Sequence, residues 1–175
     1  MNRRLRTHTL ACMLAGLFGT GAQAAELLVN VEIPRLDVAE YHRPYVAIWL
    51  ESQDRQTVRD VAVWYEREKP KAEGQKWLKD LRQWWRISGR NQDAPADGVS
   101  GATRAAGKHT LRLEDTATAL KDLPPGHYTI AVEAAREKGG RELLRLPLEW
   151  PPQRPGAAAE TGSHELGAVS LATRP

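Results

Sequence analysis

The residues with the clearest chemical potential run from Asp97 to Thr103, in the order Asp-Gly-Val-Ser-Gly-Ala-Thr. They offer one carboxylate, Asp97, and two hydroxyls, Ser100 and Thr103, with little side-chain bulk between them. A hydroxyl that follows Gly101 and Ala102 lies on backbone able to enter another enzyme's cleft. The chemistry this suits is modification of the chain by a second protein. The chain offers no Walker loop, no G-x-S-x-G elbow and no serine-protease-like triad. His42, His109, His127 and His164 follow residue 24, and no two have the H-x-x-x-H spacing of a compact metal site. His42, beside Arg43 and between Tyr41 and Tyr45, is the candidate functional histidine.

Asp97, Ser100, Gly101, Ala102 and Thr103 stand at a D-x-x-S-G-A-T spacing. This resembles the acceptor motif of flavinylated periplasmic and membrane-extrinsic domains, in which a flavin transferase splits FAD and joins FMN to a Thr or Ser hydroxyl. The resemblance implies that Thr103 carries covalent FMN, with Arg104, His42 or one of the tryptophans within residues 75–88 as candidates to contact the flavin phosphate or ring. Family acceptors commonly have another Ser or Thr shortly after the modified residue, whereas Arg104, Ala105 and Ala106 follow here. The stretch from Tyr41 through Trp85, the motif itself and the segment Val132 to Arg145 are together similar to a family of uncharacterised periplasmic proteins. Its members tend to be encoded beside PepSY-type membrane proteins and flavin transferases. That resemblance implies an extracytoplasmic redox setting with those two partners. The other reading is a cofactor-free accessory module that docks through its tryptophans or through the charged segment Glu133 to Glu142.

The N-terminus points to the compartment. Arg3, Arg4 and Arg6 precede a short apolar run, and Ala22-Gln23-Ala24 matches an A-x-A cleavage signal, so residues 1–24 read as a secretory signal peptide. The run is too short for a permanent membrane helix of about 20 residues. Cys12 lies before the apolar run rather than after it, which does not fit a lipoprotein box. Removing the signal takes away three of the 25 basic residues, none of the 22 acidic ones and the single cysteine. The remaining chain is formally neutral. Neutrality gives no footprint for nucleic acid, and loss of the thiol excludes a disulfide or a cysteine nucleophile.

Residues 25–175 are one domain's worth of chain. Leu27, Val29, Val31 and Ile33 alternate with polar residues, as in a half-buried strand, and residues 45–51 are apolar on both faces. Further strands are expected at 57–66, 109–114, 128–134 and 142–150, with a last edge strand within 164–171. Residues 75–88 read as an amphipathic helix with Trp77, Leu81, Trp84, Trp85 and Ser88 on one face. That face should cover an outer sheet patch formed by Trp49 and Trp64. Residues 90–107 form a motif loop without periodicity, and the Pro, Gly and Ala content of 151–162 suggests a flexible segment. The expected architecture is mainly β, an antiparallel immunoglobulin-like or transthyretin-like sandwich of about seven strands with one inserted helix.

Overall fold

A computed structural model describes residues 24–175. The expected signal peptide at 1–24 falls almost wholly outside the described residues. The fold is mainly β, in two mostly antiparallel sheets. Its strands are β1 (Glu26–Ile33), β2 (Tyr45–Ser52), β3 (Val58–Tyr65), β4 (Ser100–Ala102), β5 (Gly107–Glu114), β6 (Gly126–Ala135), β7 (Arg141–Trp150), β8 (Gly156–Thr161) and β9 (Ala168–Arg174). One sheet has the order β5-β1-β9-β8 and the other β4-β3-β2-β6-β7.

The alternation in β1 does what its sequence demands. Leu27, Val29, Val31 and Ile33 are buried, facing Ile48, Leu50, Ile130, Val132, Leu146 and Leu148 of the opposite sheet. β2 sits centrally in its sheet and is buried on both faces, because a second apolar layer covers its outer side. That layer comes from the chain between β3 and β4.

This cover differs from the expected single amphipathic helix. Pro70–Asp80 winds mainly as 3-10 turns, and only Arg82–Ile87, here α1, is α-helical. With three residues per turn, Leu78 and Leu81 align and point inward, and Trp84 continues the buried row. Trp77 leaves the buried face and is 46 % exposed, because the 3.6-residue spacing that would have aligned it with Leu81 does not apply there.

The partner surface also differs. Trp49 is fully buried beneath the insertion with Tyr45, Val63 and Tyr65, but Trp64 faces the core between the sheets. β2 and β3 pair with Val46 opposite Trp64 and Ile48 opposite Ala62, and then slip so that Trp49 faces Asp60. The extra residue, Val61, is a β-bulge. Strand parity counted separately in β2 and β3 could not reveal which tryptophan shared which face.

Three further elements depart from expectation. The motif loop contains β4, which pairs parallel to β3. The segment expected to be flexible contains β8, paired with β9 along its whole length. The last strand, β9, is interior to its sheet, between β1 and β8. The described residues therefore hold nine strands rather than about seven. Among the same residues, no helix is long and apolar enough to cross a membrane.

Polar groups fasten the insertion to the sheet. Glu133 on β6 is fully buried, and its carboxylate accepts the backbone N–H groups of Gln83 and Trp84 at the start of α1. Arg141 donates to the same carboxylate at 2.9 Å. At the far end of α1, Asp60 accepts the indole N–H of Trp84 at 2.9 Å, the Ser88 hydroxyl at 2.7 Å and the Gln92 amide at 2.8 Å. Glu133 thus supplies acceptors for N–H groups that the start of a short helix leaves unpaired, and Asp60 ties side chains of α1 and the turn after it to β3.

Candidate functional site: the acceptor-like strand

The motif begins in a turn. Asp97 is exposed, and Gly98 has φ +84°, a left-handed conformation that glycine adopts without Cβ strain. The N–H groups of Val99 and Ser100 both donate to the Ala96 carbonyl, at 3.2 and 3.1 Å, which closes the turn. The Val63 N–H donates to the Val99 carbonyl at 2.9 Å. From there Ser100, Gly101 and Ala102 lie opposite Val63, Trp64 and Tyr65.

Gly101 packs closely on what lies beneath it. A Cβ at this position would sit 3.0 Å from Cδ1 of Trp64, whose ring is almost wholly buried. Two other groups meet the same indole. The Arg104 guanidinium lies 5.4 Å from its centroid, in cation–π range, and the His109 imidazole meets it edge-on at 5.7 Å. A His109 ring nitrogen is also 2.8 Å from the Ala105 carbonyl, which ties the end of the motif to β5. The Arg67 guanidinium donates to the Ser100 carbonyl at 3.2 Å.

The two motif hydroxyls are in different states. Ser100 Oγ lies 3.1 Å from the Ala96 carbonyl and 3.3 Å from that of Pro95, so its proton serves the turn. Thr103, partly exposed at the end of β4, has no hydrogen-bond partner for its hydroxyl among the described residues. The free hydroxyl therefore stands directly before the cationic Arg104.

A family profile described as predicted periplasmic protein (DUF2271) matches residues 26–168. The chain belongs to this DUF2271 family. No curated protein and no solved structure matches it. The match spans β1 through the first residue of β9, and so includes the motif strand and the inserted cover of this DUF2271 chain.

The structure joins Asp97, Ser100, Gly101, Ala102, Thr103 and Arg104 into one turn-and-strand unit over Trp64. It does not place His42 in that unit. His42 lies in the β1–β2 connection, with a ring nitrogen 2.9 Å from Glu40 and the other 3.7 Å from Glu137. It lines a small cleft with Tyr45, Glu66, Trp77 and Glu137. Tyr45 donates to the Gly74 carbonyl at 3.0 Å. Burial, opposed in part by the Glu66 backbone, pushes the Tyr45 phenol up to about 12, so it remains a donor at neutral pH.

Trp64, Arg67 and His109 are the residues of this site that sequence reasoning missed. Gly101 hinted that something approaches the motif closely. Nothing local could say that it was Trp64, because the pairing joins residues more than 35 positions apart through a parallel register. Among the described residues, no group of three or more His, Cys, Asp or Glu is arranged to hold a metal ion.

Proposed function

We propose that this chain is an exported redox carrier on which a flavin transferase places FMN at Thr103, and that it exchanges electrons with a membrane-embedded PepSY-type partner. The observation that carries the reading is the contrast between the two motif hydroxyls: Ser100 is engaged by its own turn, and Thr103 is free at the end of an edge strand. A transferase must reach the acceptor oxygen. An edge strand of three small residues obstructs it little.

The neighbouring residues fit the product. A phosphodiester on Thr103 would carry a negative charge next in sequence to Arg104, whose guanidinium rests over the Trp64 ring and suits a charge-assisted bond to phosphate. In the transfer, the Thr103 oxygen forms a bond to the FMN phosphorus while the anhydride bond of FAD breaks. AMP leaves with the bridging oxygen, and the threonine proton passes to a base of the transferase. Bound FMN supplies one- and two-electron transfer. The chain's own contribution is to hold the acceptor oxygen at the surface with Trp64 as a rigid floor. The family's description as periplasmic accords with flavinylation outside the cytoplasm.

Co-expression with a flavin transferase tests this. Intact mass spectrometry should show the FMN increment on the wild type and on Thr103→Ser, and none on Thr103→Ala. An unmodified wild-type mass would refute the proposal and favour a cofactor-free accessory module.

A further inference from the structure

The two sheets leave four lateral strand edges, β5 and β8 on one and β4 and β7 on the other. Three of these edges are blunted. β4 is 3 residues long, β5 presents Lys108, Arg112 and Glu114 on its exposed face, and β7 carries Pro147 between the exposed Arg145 and Glu149. Short length, charge and proline are the usual means by which a free edge is kept from pairing with another chain. β8 has little of this. Its 6 residues pair with β9 on one side, and Gly156, Ala157, Ala158 and Ala159 bring neither charge nor bulk to the other.

A groove of about 450 Å³ runs beside this edge, between β8 and β7. Leu148, Pro152, Ala158 and Leu171 give it apolar walls, and Arg154, on the segment leading into β8, supplies a cation. The carboxylate in the lining, Glu149, lies on the β7 side in register with His127 of β6. Ala158 and Glu160 stand opposite Leu171 and Val169, which are buried toward the opposing sheet. Strand alternation therefore puts both on the face of β8 that looks toward the groove. Arg154 and Glu160 are exposed, and neither has an ion-pair partner among the described residues.

We propose that β8 is a self-association edge, which pairs antiparallel with β8 of a second copy about a two-fold axis through Ala157. Such a contact needs a strand that is its own complement, because the same surface is used on both copies. This edge qualifies: it has a cation before an uncharged middle and an anion after it. With Ala157 opposite itself, Gly156 meets Ala158, and Arg154 comes opposite Glu160 of the second copy. Moving the axis to Ala158 would bring Glu160 opposite Gly156 and lose both ion pairs, so charge selects the register. The outward N–H and C=O groups of β8 gain partners, and the four-stranded sheets of the two copies become continuous. β4 lies at the end of its sheet remote from β7, so Thr103 stays open in the dimer, and the pairing does not depend on the acceptor reading.

Sedimentation velocity on the purified protein over a concentration series tests this. The wild type should pass from monomer to dimer as concentration rises. Ala157→Lys sets two lysines face to face on the axis and should weaken association by roughly tenfold or more. Arg154→Glu and Glu160→Arg should each weaken it by opposing like charges, and the double exchange should restore it. All three positions are exposed, so the fold of each variant is retained. A wild type that stays monomeric throughout overturns the proposal. A dimer that Ala157→Lys leaves intact also overturns it, as do single exchanges that the double exchange does not rescue.

Discussion

Gly101 lies flat against Trp64, so close that a Cβ would stand 3.0 Å from the indole Cδ1. Trp64 is held between the two sheets and cannot retreat. Gly101→Val should therefore lift β4 from β3, at about 1–3 kcal/mol as in other overpacked sites. Urea unfolding should show the loss, and if Thr103 is the acceptor as proposed, FMN incorporation should fall with it. Unchanged stability in Gly101→Val would contradict this packing.

The buried Glu133 carboxylate joins α1 to β6 and β7 at once, through the N–H groups of Gln83 and Trp84 and the guanidinium of Arg141. Glu133→Ala leaves the Gln83 and Trp84 N–H groups without their acceptor and should cost about 1–3 kcal/mol for each. Arg141→Ala should cost less, because the carboxylate keeps both amide donors and the Arg141 side chain is itself 40 % exposed. Equilibrium denaturation of the two variants gives the order.

Asp60 governs the other end of the insertion. Loss of its bonds to Trp84, Ser88 and Gln92 in Asp60→Ala should loosen residues 84–99 by about 2 kcal/mol or more. Limited proteolysis should then cut within that stretch first. Simultaneous digestion of β1 and β6 would show that Asp60 supports the whole sandwich instead.

Glu142 makes acid stability measurable. Burial alone would raise its carboxyl, but the backbone N–H groups of Ser163, Leu166, His164 and Glu165 outweigh that and hold it below the ordinary 4.5. A carboxylate with a lowered folded value contributes fully above its unfolded value and loses the contribution as pH falls through the folded one. The stability lead of wild type over Glu142→Gln should be constant near neutrality and shrink below about pH 4.5, the ordinary value. A pH series of urea melts reads it directly, and a lead that grows in acid would reverse the sign.

Much of the β framework was legible because it depends on local geometry. Leu27, Val29, Val31 and Ile33 alternate with the two-residue period of a strand, and their burial follows once any apolar layer covers that face. The doubly apolar β2 announced a strand covered on both sides in the same way. The motif was legible as chemistry, by residue type and spacing, although its form as a strand was not. β4 and β8 are short or rich in Ala and Gly, so no periodicity marked them.

By itself, then, the sequence determined the β class, the inward sets of its longer strands and the identity of the acceptor-like residues, because those rest on backbone period and side-chain chemistry. Tertiary structure alone decided that Trp64 rather than Trp49 faces the core, that it forms the floor under Gly101, and that Trp77 escapes burial. The Val61 bulge sets the first of these, parallel pairing of β3 with β4 the second, and 3-10 winding before α1 the third. Each is a relation of register between segments far apart in the chain. A period of two or 3.6 residues, read within one segment, contains no information about that relation.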